Sequence, residues 1–256
     1  MKKKWTALLI AMLALTVFAV GCGSKGDGQA ANKIIVGTDA SFPPFESLAP
    51  DGKPEGFDID LINAIAKSQN MNIEAKHVGW DPMMAGLENG SVQVGIAGIT
   101  MNDDRKKQFD FTDPYFTAKQ AILLKNSAPD VKTIADLKGK KIGVQSGTTG
   151  QAVVEKNFGK GYTGLKGFDD IASAIDDMKN GRIDAVVADN AVIKKFKEQL
   201  QLNDVKIVED KTINQEQYGI AVKKGNKELL NTLNKGLKAV KADGTYDKIY
   251  AKYFNK

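Results

Sequence analysis

Short β-rich runs alternate with helical stretches along most of this chain of 256 residues, and the alternation occurs twice. The predicted strands are 33–38, 72–78, 92–98, 140–145, 183–188 and 217–222. The predicted helices are 56–69, 82–87, 148–157, 172–178, 191–200 and a helical tail over 227–254. Residues 41–45 are expected to form a loop, because the two prolines there interrupt a strand ladder. Alternation of this kind is typical of α/β folds with a mostly parallel sheet. The sequence therefore predicts an α/β protein built from two such units.

The N-terminus has the order of a secretory signal. Lysines at 2–4 precede a run over 5–21 that contains no charged residue, and small residues lead up to Cys22. This order is typical of a signal peptide. A cysteine directly after the cut resembles a bacterial lipoprotein signal, in which it receives lipid, although Ala19 stands where that pattern prefers Leu. A transmembrane anchor is the alternative, since the run is at the short end of the ~17–25 residues that a span needs.

We expect the signal peptide to occupy residues 1–21. Residues 22–32 would form a lipidated, flexible tether, because they are rich in Gly, Ser, Ala and Lys and carry no large apolar side chain. The protein would then lie at the cell membrane, anchored through lipid on Cys22, with its folded part on the extracytoplasmic side. After the signal, no other apolar run is long enough to cross a bilayer.

Composition excludes several classes of function. The only cysteine is Cys22 and the only histidine is His77, so a disulfide, a zinc site or a histidine-based triad is not expected. Three positive charges of the formal net +5 belong to the signal, which leaves 5 − 3 = +2 for the remainder. A nearly neutral chain without lysine-rich blocks does not favour binding to nucleic acid. We expect neither a metal nor a cofactor.

Polar residues follow the first and third predicted strands, and ligands of open α/β sheets bind at such strand ends. After the first strand, Asp39 can accept a hydrogen bond and Phe42 can form an apolar wall. After the third, Gly98 permits close approach of the backbone, Thr100 offers a hydroxyl and an amide, and Arg105 suits a carboxylate. Each residue also has an ordinary explanation. Asp39 could simply belong to a turn and Phe42 to the core. Arg105 could form a surface ion pair, which contributes little to stability.

The second unit offers further candidates. Residues 146–150 open a helix whose free amides can bind an anion, and a carboxylate is favoured over phosphate because no Gly-Lys-Ser/Thr follows. Asp189 follows an apolar strand and could pair with an ammonium, although a helix N-cap is the ordinary role there. Trp80 could stack on a ligand, whereas an aromatic in the core is commoner. Asp103 is expected to cap a short helix that holds Arg105.

Together these candidates describe one ligand. Arg105 with helix-end amides would hold a carboxylate, Asp189 would hold an ammonium, and aromatic residues would flank a side chain. That combination matches the two charged ends of an α-amino acid. The remaining carboxylates, Glu46, Asp81 and Glu88, are scattered and show no spacing that indicates a general acid–base pair.

Six motifs, in order, resemble those of the polar amino-acid-binding proteins of ABC importers (extracellular solute-binding protein family 3). They lie at 37–45, 56–61, 98–107, 109–115, 143–150 and 184–189. Each motif alone is weak, but the ordered set is specific and covers nearly all of the chain after the signal. The resemblance implies a type II periplasmic-binding-protein fold, in which two α/β lobes are joined by two hinge strands and close over the ligand.

The resemblance also implies where the lobes begin and end. Lobe 1 would comprise residues 33–116 and 218–256, and lobe 2 would comprise residues 117–217. The two crossing strands would fall near 115–119 and 214–218. A monomer is expected.

By the same resemblance, five residues hold the two ends of the amino acid. Arg105 would grip the α-carboxylate, aided by the amides of Thr100 and Thr149. Asp189, the carbonyl of Gly98 and the hydroxyl of Thr100 would hold the α-ammonium.

Four more residues would surround the side chain of the ligand. Phe42 and Trp80 would flank it, and Asp39 would meet its polar end. Glutamine-binding relatives often carry Lys at the position of Gln145, and the absence of that charge removes one barrier to a cationic side chain. The aromatic pair also suits a cation, so Arg, Lys or His is favoured slightly over glutamine.

The resemblance implies a receptor without catalytic activity that delivers a free L-amino acid to the transmembrane subunits of an ABC permease. One alternative is an enzyme similar to cyclohexadienyl dehydratases, which needs an acidic group to protonate a leaving hydroxyl. Another is a ligand-sensing subunit that acts through a separate partner.

Overall fold

The computed structural model of the protein describes residues 33–255. The predicted signal peptide, the lipidation site at Cys22 and the tether up to residue 32 lie outside the described residues. Within the described range, no helix is long and apolar enough to cross a membrane.

Strands and helices alternate as the sequence pattern predicts. The strands are β1 (Ile34–Thr38), β2 (Ser41–Phe42), β3 (Glu46–Leu48), β4 (Pro54–Glu55), β5 (Ile73–His77), β6 (Val94–Gly95), β7 (Phe109–Phe111), β8 (Phe116–Lys125), β9 (Ile142–Gln145), β10 (Leu165–Phe168), β11 (Ala185–Asp189), β12 (Val205–Val208), β13 (Gln215–Tyr218) and β14 (Ala221–Lys223). The α-helices are α1 (Phe57–Ser68), α2 (Trp80–Asn89), α3 (Asp103–Gln108), α4 (Thr149–Phe158), α5 (Ile171–Lys179), α6 (Asn190–Gln199), α7 (Lys227–Ala242) and α8 (Thr245–Phe254).

Two mixed sheets form the centres of the two halves. The first has the order β5-β1-β6-β14-β7, and the second has the order β10-β9-β11-β8-β12. In the first sheet β1 is parallel to β5 and β6, whereas β14 is antiparallel to β6 and β7. In the second sheet β9 is parallel to β10 and β11, whereas β8 is antiparallel to β11 and β12. The prediction of a mostly parallel sheet was therefore wrong. The reason is that β14 enters the first sheet, and β8 the second, from the other half of the protein, and each is antiparallel to the neighbouring βαβ strand.

β8 and β13 connect the two sheets. They pair antiparallel from Phe116↔Tyr218 to Lys119↔Gln215, after which β8 continues into the second sheet. β13 leads the chain back to β14, which lies in the first sheet. The paired segments lie where the resemblance implies crossing strands.

The apolar face of α1 forms the core of the first half. Leu61, Ile62 and Ile65 are fully buried, and the helix packs against α7 and α8. Ile65 lies four residues after Leu61 and three after Ile62, and these spacings place the side chains on one apolar stripe of the helix, as the sequence pattern requires. Aromatic rings fill the space between this core and the start of β8, where Phe116 packs on Phe45 and Phe254.

Three local predictions were wrong. The expected loop at 41–45 contains β2, whose two residues pair with β3 before Pro43 and Pro44 interrupt the ladder. The strand predicted over 92–98 is regular only at Val94–Gly95. The strand predicted over 217–222 is divided into β13 and β14 because the chain passes there from the crossing segment into the first sheet.

Candidate functional site

The structure brings all nine predicted ligand contacts to the lining of one cavity. These residues are Asp39, Phe42, Trp80, Gly98, Thr100, Arg105, Gln145, Thr149 and Asp189. The same cavity is also lined by Glu46, Ala97 and Thr148. The lining residues lie near the ends of strands in both sheets and in the segments and helices that follow those strands. The site is therefore a cleft between the two halves, as expected for an open α/β sheet.

Arg105 is a buried cation on α3. The side chain of Asn102 caps this helix by accepting a hydrogen bond from the backbone N–H of Arg105 at 2.8 Å. The prediction that Asp103 is the cap was therefore wrong, and Asp103 is instead the first helical residue. The cap sits one turn before the guanidinium and fixes the start of the helix that presents it.

The guanidinium of Arg105 is only partly satisfied by the protein. Nη1 donates to the carbonyl of Thr100 at 3.1 Å, and Nη2 donates to the carbonyl of Gly147 at 3.2 Å. Its Cζ lies 4.8 Å from the ring centroid of Trp80. Burial lowers the pKa of Arg105 to about 10, so the group still carries its charge at neutral pH. A guanidinium has five N–H donors, which leaves donors for an anion.

Asp189 is a buried carboxyl at the end of β11. Although it precedes α6, its side chain makes no capping hydrogen bond. Instead it accepts from Nε2 of Gln120 at 2.9 Å and from the hydroxyl of Tyr218. Burial, followed by repulsion from Glu216, raises the pKa of Asp189 to about 7. Such a carboxyl ionises readily when a cation approaches, because the opposite charge favours the anionic form.

A second acid, Asp39, lies elsewhere in the cavity lining. Its Oδ2 accepts from Nε2 of Gln145 at 2.7 Å, and its Oδ1 accepts from the hydroxyl of Ser41 at 2.9 Å. Gln145 also donates to the carbonyl of Asp169 at 2.9 Å. Nδ1 of His77 accepts from the backbone N–H of Ala40 at 3.0 Å. The turn after β1 is thereby fixed with Asp39 facing inward.

Two glycines allow the backbone to approach this cavity closely. Gly98 has φ of 54°, and a Cβ there would lie 3.0 Å from the ring of Phe42 and 3.2 Å from that of Tyr218. Gly147 has φ of 71°, and a Cβ there would lie 3.1 Å from Nε1 of Trp80. Left-handed backbone of this kind favours glycine.

Glu216 on β13 links the two halves behind the cavity. Its Oε2 accepts from the hydroxyls of Thr100 and Thr149, each at 2.8 Å. The resemblance assigns the Thr100 hydroxyl to the ammonium of the ligand, whereas in this structure that hydroxyl donates to Glu216. Thr149 is the first residue of α4 and lines the cavity, and the amides of a first helical turn have no partner within the helix.

Sequence reasoning missed several residues of the site. Glu46 was grouped with scattered carboxylates, and neither Glu216 nor Tyr218 was assigned a role. Gln120 carried a usable signal, since it is a fully buried amide next to the apolar run 121–124 of β8. A polar side chain in a buried strand needs a hydrogen-bond partner, and here that partner is Asp189.

Comparisons with known proteins agree with this geometry. Residues 34–256 match the family of bacterial extracellular solute-binding proteins, family 3. A probable histidine-binding protein of Neisseria gonorrhoeae is 40% identical, over 99% of this chain and 96% of the relative. The crystal structure of the arginine-, lysine-, histidine-binding protein ArtJ from Geobacillus stearothermophilus is 45% identical with a TM-score of 0.84, over 88% of this chain and 96% of ArtJ. The crystal structure of AncCDT-1, an ancestral amino-acid-binding protein and precursor of cyclohexadienyl dehydratase, is 37% identical with a TM-score of 0.78. The match covers 87% of this chain and 95% of AncCDT-1.

Proposed function

Since the chain belongs to the bacterial extracellular solute-binding proteins of family 3, we propose that it captures a polar amino acid outside the cytoplasm and delivers it to an ABC permease. One observation carries the proposal: a single cavity contains one buried guanidinium, Arg105, and a buried carboxyl, Asp189. These are the charges that the α-carboxylate and the α-ammonium of an amino acid require.

Arg105 and Asp189 hold the two ends of the ligand. Two donors of Arg105 bind backbone carbonyls, and the remaining ones bind the α-carboxylate together with the amides of Thr100 and Thr149. Asp189 loses its proton as the α-ammonium arrives, and the carbonyl of Gly98 accepts a second hydrogen bond from that ammonium. Each buried charge thus receives a partner, which offsets the cost of its burial.

We favour a basic side chain, Arg, Lys or His, over glutamine. Oδ2 of Asp39 accepts from the neutral amide of Gln145, and Nδ1 of His77 lies 4.0 Å from its Oδ1, so its carboxylate remains available to a positive ligand. Phe42 and Trp80 flank the same space, and aromatic faces attract cations. The names of the histidine-binding relative and of ArtJ point in the same direction.

Capture would proceed by closure of two lobes, residues 33–116 with 218–256 and residues 117–217. The hydrogen bonds from Arg105 to Gly147 and from Gln145 to Asp39 join the lobes across the cleft. The paired segments of β8 and β13 are the two connections about which such a motion would turn. Hinge closure around a ligand is an established motion of binding proteins.

We further propose that lipid on Cys22 anchors the protein at the extracytoplasmic face of the cell membrane, and that it acts as a monomer. A non-catalytic receptor needs no cofactor. The permease would recognise the closed form. A sensory role would use the same ligand and differ only in the partner.

A dehydratase-like enzyme is the second candidate. The observation that favours it is the buried carboxyl of Glu46 in the cavity wall. Burial raises the pKa of Glu46, so this carboxyl could serve as an acid. The receptor is favoured because AncCDT-1 is itself an amino-acid-binding protein.

A thermal-shift screen of the twenty amino acids with prephenate and arogenate tests the proposal. We expect Arg, Lys or His to raise the melting temperature by mass action, with no product formed from prephenate or arogenate. A protein that none of the amino acids stabilises, or that turns over either of the two other compounds, would contradict the receptor function.

A further inference from the structure

The carboxyl of Glu46 is a buried group in the cavity that the proposed binding contacts do not use. Glu46 begins β3, where it pairs with Phe42 of β2, and its side chain lines the cavity while being 0% exposed. Neither of its oxygens has a hydrogen-bond donor. A buried carboxylate without a partner is costly, so this group either keeps a proton or meets a cation.

The carboxyl of Asp58 is the neighbour of Glu46. It lies in the first turn of α1, is also fully buried, and its Oδ2 accepts from the backbone N–H of Gly98 at 2.9 Å and from the hydroxyl of Tyr115 at 2.7 Å. Its Oδ1 has no donor. Two carboxylates cannot donate to each other, so the pair is satisfied only when one of them holds a proton. Because the protein donors all point at Asp58, that proton belongs on Glu46.

Every titratable group that acts on Glu46 disfavours its ionisation. Burial contributes most, followed by Asp58 on α1 and Asp39 after β1, and together they raise the pKa of Glu46 well above its usual value. Tyr115, which precedes β8, is a neutral phenol that donates to Asp58. Burial also raises the pKa of Asp58 to about 6. No lysine or arginine among the described residues offsets these acids at Glu46.

We propose that Glu46 selects a cationic ligand side chain, and that it releases a proton to solvent when that side chain binds beside it. This inference rests on the proposed function and deepens it, since it assigns a second acidic residue, besides Asp39, that distinguishes basic from neutral amino acids.

The step conserves charge within the cavity. Before binding, Glu46 holds its proton and is neutral; after binding, its carboxylate pairs with the guanidinium or ammonium of the ligand. One proton leaves as one positive charge enters. A neutral side chain of the same shape supplies no such charge, so Glu46 keeps its proton.

Arginine and citrulline form the matched probe pair, because they differ in the charge of the terminal group and share the α-carboxylate and α-ammonium. Calorimetric titration at pH 7 in phosphate and in Tris counts the protons exchanged on binding. Any proton lost from Asp189 is common to both ligands and cancels in the comparison. We expect arginine to release more protons than citrulline by an amount on the order of one proton. We also expect the affinity for arginine, relative to citrulline, to rise with pH.

The variant Glu46→Gln tests the same residue directly. Glutamine keeps the shape but cannot ionise when a cation binds, so the affinity for arginine should fall at least ~30-fold, while the affinity for citrulline changes little. Glu55→Gln is the matched control, since Glu55 is an exposed glutamate in the adjacent strand β4. If Glu46→Gln does not fold, the proton count on the wild-type protein decides the matter alone.

The outcomes separate this inference from the function on which it rests. Equal proton release for arginine and citrulline, or an unchanged preference in a folded Glu46→Gln variant, overturns the role of Glu46 and leaves amino-acid capture intact. Absence of binding by any amino acid overturns the proposed function and this inference with it.

Discussion

The side-chain amide of Gln145 donates a hydrogen bond to the carboxylate of Asp39, with 2.7 Å between Nε2 and Oδ2. Gln145 ends β9 of the second sheet and Asp39 follows β1 of the first. The contact therefore joins the two halves across the cavity. Because this amide is neutral and Nδ1 of His77 lies 4.0 Å from Oδ1 of Asp39, we propose that the Asp39 carboxylate is available where the ligand side chain binds.

Replacing Gln145 with lysine should change the ligand preference. In Gln145→Lys the new ammonium pairs with Asp39 and repels a basic side chain, so the affinity for arginine should fall at least about tenfold, or ~1.4 kcal/mol. Binding of glutamine should be retained or improved. Titration calorimetry with both ligands measures the ratio, and Gln145→Met provides a neutral control. An arginine preference that survives in Gln145→Lys would place the side chain of the ligand elsewhere.

Arg105→Ala should abolish amino-acid binding while the fold is retained. The substitution removes the only buried guanidinium among the lining residues, and truncation of one partner of a buried charge pair costs at least about 2 kcal/mol. Calorimetry measures binding and circular dichroism checks the fold. Arg182→Ala is the matched control, since Arg182 is exposed and pairs with Asp176 and Asp177. Unchanged affinity in Arg105→Ala would reject the carboxylate assignment.

Asp189→Asn should weaken binding of every α-amino acid, basic or neutral. The amide keeps the shape of the side chain but cannot neutralise an ammonium, so we expect a loss of at least about 2 kcal/mol of binding free energy. Helix α6 should persist, because Asp189 makes no capping hydrogen bond to it. A loss confined to the basic amino acids would instead assign Asp189 to the side chain of the ligand.

The unliganded protein should become less stable as the pH rises from about 4 to about 7. The pKa of Asp58 is raised to about 6 and that of Asp189 to about 7, both mainly by burial, whereas an unfolded Asp titrates near ~3.9. The folded state thus binds more protons than the unfolded state in this window, so the free energy of unfolding falls with pH.

Each of these two groups can contribute up to about 1.4 kcal/mol per pH unit between its unfolded and folded pKa values. Urea denaturation of the wild type and of Asp189→Asn at pH 5 and pH 7 measures the effect, and the variant should show the smaller decrease. Stability that rises between those two pH values would show that these carboxyls are not held in a neutral form.

The α/β class, the two-lobed fold and the membership in a family of amino-acid-binding proteins are confirmed, because they depend on periodic patterns and on motifs that are local in sequence. The gathering of the nine predicted residues in one cavity follows from the rule that ligands bind at strand ends. Their contacts with a ligand stay a prediction.

Contacts made between distant segments could not be predicted. Glu216 lies in a polar strand, and its role arises only because the fold brings it to Thr100, 116 residues away, and to Thr149, 67 residues away. Glu46 follows a Pro-Pro turn, and no local pattern indicates that its carboxyl is buried beside Asp58. The N-cap of α3 is Asn102 and not Asp103. Asn and Asp are both good capping residues, and a shift of one residue in a helix boundary cannot be predicted from sequence.

The central claim is that opposite charges of one cavity, Arg105 and Asp189, hold the two ends of a zwitterion. Calorimetric titration with arginine, agmatine, which lacks the carboxylate, and 5-guanidinopentanoic acid, which lacks the α-ammonium, tests it most directly. The claim predicts that arginine binds and that each of the two analogues loses at least about 2 kcal/mol of binding free energy. Binding of either analogue as tight as that of arginine would contradict it.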